Sequence, residues 1–210
     1  MLKKILLLFL LAVVSAAAGA REAIILPNPN TTGGKPLMQA LKERKSTREF
    51  SAETLSAEVL SNLLWAAFGV NRPDGKRTAP SAMDRQEIDI YVVVRDGVYV
   101  YDARLHRLQT VASGDLRAVT GTQAFVREAP LNLVYVADYS KMATASEPDK
   151  LFYSAADTGF IAQNVYLYCA SAGLATVVRA SVNREAFATA VKLSPNQKIT
   201  LAQSVGYPKR

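Results

Sequence analysis

The sequence predicts an α+β domain built on a mixed or antiparallel sheet. Three observations carry that expectation. Strand-like and helix-like segments alternate irregularly along the chain. Asp96-Gly97 separates two β-branched runs in the manner of a hairpin turn. Neither Gly-x-Gly-x-x-Gly nor the Walker pattern occurs, which argues against doubly wound dinucleotide folds and phosphate-loop proteins. With 210 residues, half of them hydrophobic, the chain can bury one sizeable core but not two. Cys169 is the only cysteine and His106 the only histidine, so an internal disulfide, a cysteine metal site and a histidine-rich metal site are all excluded.

Lys3 and Lys4 precede an unbroken apolar run at 5–14, and Ala18-Gly19-Ala20 supplies small side chains after it. This is the pattern of a signal peptide over 1–20, cleaved after Ala20. The run is shorter than the roughly 20 residues a membrane-spanning helix needs. No cysteine follows it to carry a lipid, and no second long apolar segment exists. The expectation is therefore an exported protein, periplasmic or secreted, without a stable membrane anchor. Residues 21–35, rich in Pro, Asn, Thr and Gly, read as an extended arm, and 36–210 as a single domain.

Within that domain Pro36 can open a helix whose apolar face is Leu37, Ala40 and Leu41. A stronger helix covers 56–70, with Ser56 as N-cap and Gly69 as its end. A loop follows at 71–81. Residues 88–94 read as a strand, and 98–101 return antiparallel to it. A short helix is expected at 115–120 and a strand at 131–137. The longest helix covers 149–172 and stops at Gly173. A strand at 175–180, a short helix at 183–191 and a last strand at 199–205 complete the order. Phe152, Ala155, Ala156, Phe160, Val165 and Leu167 surround much of the long helix, so it should be buried on several sides, by its own domain or by a second copy.

Two segments could carry chemistry. In Arg44-Lys45-Ser46-Thr47-Arg48 alternation puts Arg44, Ser46 and Arg48 on one side of an extended chain. Two guanidinium forks and a hydroxyl suit a phosphate dianion, and a solvated basic turn is the alternative. In Pro80-Ser81-Ala82-Met83-Asp84, small residues would admit a flat ligand, with Asp84 and Gln86 as hydrogen-bonding groups; an ordinary loop would look the same. Cys169 lies in a mostly apolar helical stretch and reads as a buried, inert thiol, and His106 as a surface hairpin residue. The net charge of +7 is scattered, with no basic and aromatic stripe, so no nucleic-acid partner is expected.

Taken in order, these segments resemble the nitroreductase superfamily of FMN-dependent oxidoreductases. The likeness rests on Arg44 to Phe50, Ala79-Pro80-Ser81-Ala82, Asp157-Thr158-Gly159-Phe160-Ile161-Ala162-Gln163-Asn164, Ala172-Gly173-Leu174 and Val205-Gly206-Tyr207-Pro208. Tyr101-Asp102, His106 and Gly114-Asp115-Leu116-Arg117 are similar to the SagB-type branch. The resemblance implies a central, mostly antiparallel sheet wrapped by helices, in an intimate homodimer with FMN at the interface. It implies that Arg44, Lys45, Ser46 and Arg48 grip the flavin phosphate and ribityl chain. Pro80, Ser81 and Ala82 would line the ring from the partner subunit, and backbone N–H groups around Val177, Val178 and Arg179 would approach the flavin N5.

Two departures from the family pattern stand out. Asp84 occupies the place of an Asn that bonds the flavin pyrimidine edge in many members. A carboxylate can accept from the flavin N3–H but cannot donate to a flavin oxygen, and it disfavours the anionic reduced ring. Its presence implies a low potential or a side chain facing elsewhere. Arg179 stands where the family usually has a small or acidic residue; it would add positive charge beside the ring, or be held in a buried salt bridge. The implied function is an exported oxidoreductase acting on a small organic molecule, with NADH or NADPH as a candidate donor. The chemistry would be borne by the flavin, without a catalytic side chain or a metal. The alternative is a protein of the same fold that binds a flavin or phosphate ligand without turnover.

Overall fold

The computed structural model describes residues 23–209, so the expected signal peptide at 1–20 lies outside the described residues. Seven strands form one sheet: β1 (Ile24–Ile25), β2 (Ile88–Val94), β3 (Gly97–Asp102), β4 (Arg107–Ser113), β5 (Leu131–Asp138), β6 (Ala175–Arg179) and β7 (Gln197–Gly206). Their spatial order is β1-β4-β3-β2-β5-β7-β6, and each neighbouring pair runs antiparallel. Among the described residues five α-helices accompany them: α1 (Leu37–Glu43), α2 (Ala57–Phe68), α3 (Phe125–Glu128), α4 (Glu147–Ala172) and α5 (Arg184–Val191).

Both faces of the central strands are covered, which is why β5 reads as a nearly continuous apolar run. On one face Ile90, Val92, Leu133 and Tyr135 pack with Leu63, Leu64 and Phe68 of α2 and with Ile161, Val165 and Cys169 of α4. On the other, Tyr91, Val93, Val134 and Val136 pack with Phe187 and Val191 of α5. Alternate side chains of each strand thus enter different cores. Cys169 is fully buried in the first, and burial pushes its thiol well above the usual range.

The boundaries follow local chemistry. Ser56 caps α2 by accepting from Val59 N. α4 starts two residues before the expected position, because Ser146 caps it by accepting from Asp149 N. Gly173 ends it at φ 73°, the left-handed conformation that favours glycine. The β2–β3 turn is Arg95-Asp96, one residue earlier than expected. Gly97 is instead the first residue of β3, where a Cβ would come 2.6 Å from the Ala112 carbonyl oxygen. The expected helix at 115–120 is a short 3-10 turn over Arg117–Thr120.

β4 was not evident in the sequence. Only Leu108 along it is buried, so its pattern is mostly polar. The arm is tied down against this hairpin: β1 pairs with β4, and the Pro27 carbonyl oxygen accepts from Ser61 Oγ at 2.6 Å. His106 stands beside it, bracketed by Ser61 Oγ at 2.7 Å and Tyr101 OH at 2.9 Å. It is half-buried rather than a surface residue, and burial pushes its pKa down, so it fastens the arm as a neutral ring.

Candidate functional site

The site is organised by the two flanks of α4. Its buried face carries Ile161, Val165 and Cys169 into the core. Tyr166 and Asp157, both buried, lie on either side of that face. They stand nine positions apart in the helix, which places them about 13 Å apart along the axis and on roughly opposite flanks.

Tyr166 collects the basic segment. Its hydroxyl lies 2.7 Å from Ser46 Oγ and accepts from Val178 N at 3.0 Å. The Arg44 guanidinium sits over its ring, 5.3 Å from the centroid. β6 is the end strand of the sheet, and Thr47 N donates to Thr176 O at 2.9 Å, so residues 44–48 run along its free edge. The structure therefore brings Arg44, Ser46 and Val178 together, with Lys45 and Arg48 exposed beside them. Among the described residues Arg44, Lys45 and Arg48 form no ion pair. Clustered cations with no carboxylate partner are what an anionic phosphate group requires. Replacing Tyr166 by phenylalanine should leave the Val178 N–H without its partner. A loss of about 1–3 kcal/mol is expected in chemical denaturation.

Asp157 collects the second segment. Its Oδ2 accepts from Ala82 N at 2.9 Å, and Ser81 Oγ accepts from Gln86 N at 3.0 Å. Between them the backbone turns sharply, with Met83, Asp84 and Gln86 at φ values of 54°, 53° and 50°. Such left-handed conformations in residues other than glycine are costly and concentrate at functional sites. Asp84 is exposed and accepts from Gln86 Nε2 at 3.0 Å, a local contact that holds its carboxylate within the turn. Behind Asp157 lies Glu87, fully buried at the foot of β2. Burial first, and then the Asp157 charge, raise its carboxyl to about 7.

Arg179 departs from the expectation. Along β6, Ala175 and Val177 face the cluster of Phe50 and Ala129, whereas Val178 packs on the α4 side. Strand alternation puts the Arg179 side chain with Val177, away from Tyr166 and Ser46. It donates to Thr120 O, Thr120 Oγ1 at 3.1 Å, Asn132 Oδ1 at 2.9 Å, Ser181 O at 3.3 Å and Ser204 Oγ at 3.4 Å. None of these is a carboxylate, so the guanidinium is held neither beside Tyr166 and Ser46 nor in a salt bridge but by a set of neutral oxygens. Burial pulls the guanidinium down to about 10.

Sequence reasoning missed Tyr166, Asp157 and Glu87 as organising residues. One signal was available: Asp157 places a carboxylate in a helix that is otherwise apolar over much of its surface. Tyr166 gave none, because a tyrosine in such a helix usually reads as core.

The family profile described as Nitroreductase family matches residues 41–207. A Methanocaldococcus jannaschii protein named as a nitroreductase is 34% identical over 151 residues, which are 67% of this chain and 76% of that protein. The crystal structure of a Ralstonia eutropha protein named as a nitroreductase is 44% identical with a TM-score of 0.86, covering 93% of each chain. A Desulfovibrio desulfuricans protein of the same name, solved in complex with FMN, shares the fold at 22% identity and a TM-score of 0.61, over 84% of this chain and 88% of that one.

Proposed function

The chain belongs to the nitroreductase family, and from that premise we propose that it is an exported FMN-dependent oxidoreductase of the SagB-type branch, acting on a small organic substrate. The observation that carries the reading is the basic segment along the free edge of β6, where Arg44 and Ser46 are braced by Tyr166, Arg48 is exposed nearby, and neither arginine forms an ion pair among the described residues. The flavin in the Desulfovibrio relative supports the choice of ligand. Export rests on the Lys3-Lys4, apolar and Ala18-Gly19-Ala20 pattern. Among the described residues no helix is long and apolar enough to cross a membrane. The SagB-type branch rests on Tyr101 and Asp102, which end β3, and His106, which closes the turn after it and fastens the arm.

When bound, FMN would supply the electron or hydride transfer, with NADH, NADPH or another reductant of the exported compartment as donor. The residues of this chain bind and orient it. Arg44, Ser46 and Arg48 hold the phosphate, with Lys45 as a neighbouring charge, and Tyr166 fixes both Arg44 and Ser46. The Val178 N–H is engaged by the Tyr166 hydroxyl, so Tyr166 also sets how much of that donor remains for the ring. Pro80, Ser81 and Ala82 line the ring, with Asp84 at the rim of the same turn.

These two halves are anchored on opposite flanks of α4, which supports completion of each site by a second copy of the chain. Leu37, Met38 and Leu41 of α1 and Phe152 and Phe160 of α4 are exposed in the single chain, whereas the apolar circumference of the long helix implied burial by its own domain or by a second copy. A homodimer would cover them, and FMN touching both chains would tighten it. Purified protein should show flavin absorbance and sediment as a dimer, more firmly with FMN than without. NADH or NADPH should bleach the bound flavin. Flavin held but reduced by neither would favour the binding protein without turnover, and a monomer holding tight FMN would remove the shared site.

A further inference from the structure

Both carboxylate oxygens of Glu87 are buried and have no hydrogen-bond partner. Asp157 faces them within hydrogen-bonding reach, but two ionised carboxylates cannot bond each other, because neither has a proton to donate. A proton on one of them resolves the conflict. The placement decides which. Asp157 Oδ2 accepts from Ala82 N, a bond that needs an oxygen lone pair and is strongest to a carboxylate. The one amide near the Glu87 carboxylate is its own backbone N–H, which favours the ionised form less than burial disfavours it, so Glu87 is the better site for the proton and can donate it to Asp157.

We propose that Glu87 and Asp157 share a single proton and act together as positioning residues, Glu87 donating to Asp157 so that Asp157 stays fixed on the Ala82 N–H and holds the 80–84 turn. This rests on the reading of Pro80–Ala82 as one wall of the flavin pocket. The charged groups around the pair are few. Lys141, in the turn after β5, bonds the Gln86 carbonyl oxygen at 3.3 Å and Asp89 at 2.9 Å, and its charge favours the ionised form. Arg85 directly follows the 80–84 turn, with one guanidinium nitrogen buried and unpartnered. The sole histidine, His106, is engaged by Ser61 and Tyr101 on the other hairpin.

The pair makes the turn sensitive to pH near neutrality. Glu87 is raised from 4.5 to about 7, so the folded chain holds a proton that the unfolded chain has lost in that interval. Its stabilising contribution is complete below 4.5 and is lost as pH rises through about 7. Above that, two buried negative charges repel and the hold on Ala82 loosens.

The experiment compares the full chain with Glu87→Gln, whose amide can donate to Asp157 at every pH. The backbone amide of Ala82 is followed by NMR and hydrogen exchange between pH 6 and 9, with and without FMN. In the parent chain the Ala82 resonance should titrate with a midpoint near neutrality, and its protection should fall at least tenfold; in Glu87→Gln both should stay flat. FMN affinity should weaken over the same range in the parent alone. An Ala82 amide that does not respond to pH, or responds equally in both proteins, overturns the shared proton. A titrating amide with FMN bound equally well throughout overturns the positioning role. A titrating amide in a chain that never binds FMN leaves the pair standing and removes the flavin reading instead. If Glu87→Gln does not fold, Asp157→Asn serves, since its side-chain oxygen can still accept from Ala82 while the paired charge is gone.

Discussion

Arg179→Met should lower folding stability by about 3 kcal/mol, measured by urea denaturation. The guanidinium ties Thr120 in the turn after β4 to Asn132 on β5, Ser204 on β7 and Ser181 beyond β6. Methionine fills similar space and relieves a buried charge, but it leaves those oxygens facing an apolar side chain. For a domain of this size the loss corresponds to roughly 6–12 °C in thermal midpoint. Arg179→Lys should recover little, because an ammonium on a single point cannot reproduce the fork. FMN affinity, measured on the folded fraction, should change much less than stability. A change below about 0.5 kcal/mol, the ordinary range for surface positions, would contradict the anchoring role.

Arg44→Ala should weaken FMN binding about tenfold to a hundredfold, the equivalent of one charge-assisted contact of roughly 1.5–3 kcal/mol. Arg48→Ala should fall in the same range, and Lys45→Ala well below it. Arg44 is expected to lead, because stacking on Tyr166 holds its guanidinium ready before the ligand arrives. The exposed Arg48 must be ordered on binding. Fluorescence titration of apoprotein with FMN gives the three constants directly. Equal, small effects from all three would show that the segment is a solvated basic turn.

Much of the architecture was legible because the central strands are apolar on both faces and end at strong punctuation. The 88–94 strand was anticipated to the residue, and the long helix at its glycine stop. β4 escaped because one buried leucine cannot announce a strand. The exposed phenylalanines of α4 could not be assigned, since an apolar helix reads the same whether its own chain or another covers it. At the site, alternation grouped Arg44, Ser46 and Arg48, of which Arg44 and Ser46 meet at Tyr166, while the Arg179 side chain was placed beside the ring, or in a buried salt bridge, from its position in the family pattern. Adjacent residues of a strand point to opposite faces, so the Arg179 side chain lies on the face away from Val178. Tyr166 and Glu87 act through contacts more than ten residues distant in sequence, which no local pattern records.

Cys169 gives the molecule an internal clock. It is the single thiol of the chain, fully enclosed where α4 meets the sheet. In the native state a thiol-specific reagent has nothing to react with, so each labelling event records an excursion in which the helix has parted from the strands. Because Tyr166 and Asp157 ride on the same helix, those excursions also dismantle both walls of the proposed flavin site. Labelling rates taken with increasing FMN would therefore count how often the empty pocket comes apart, one chain at a time, without any engineered probe.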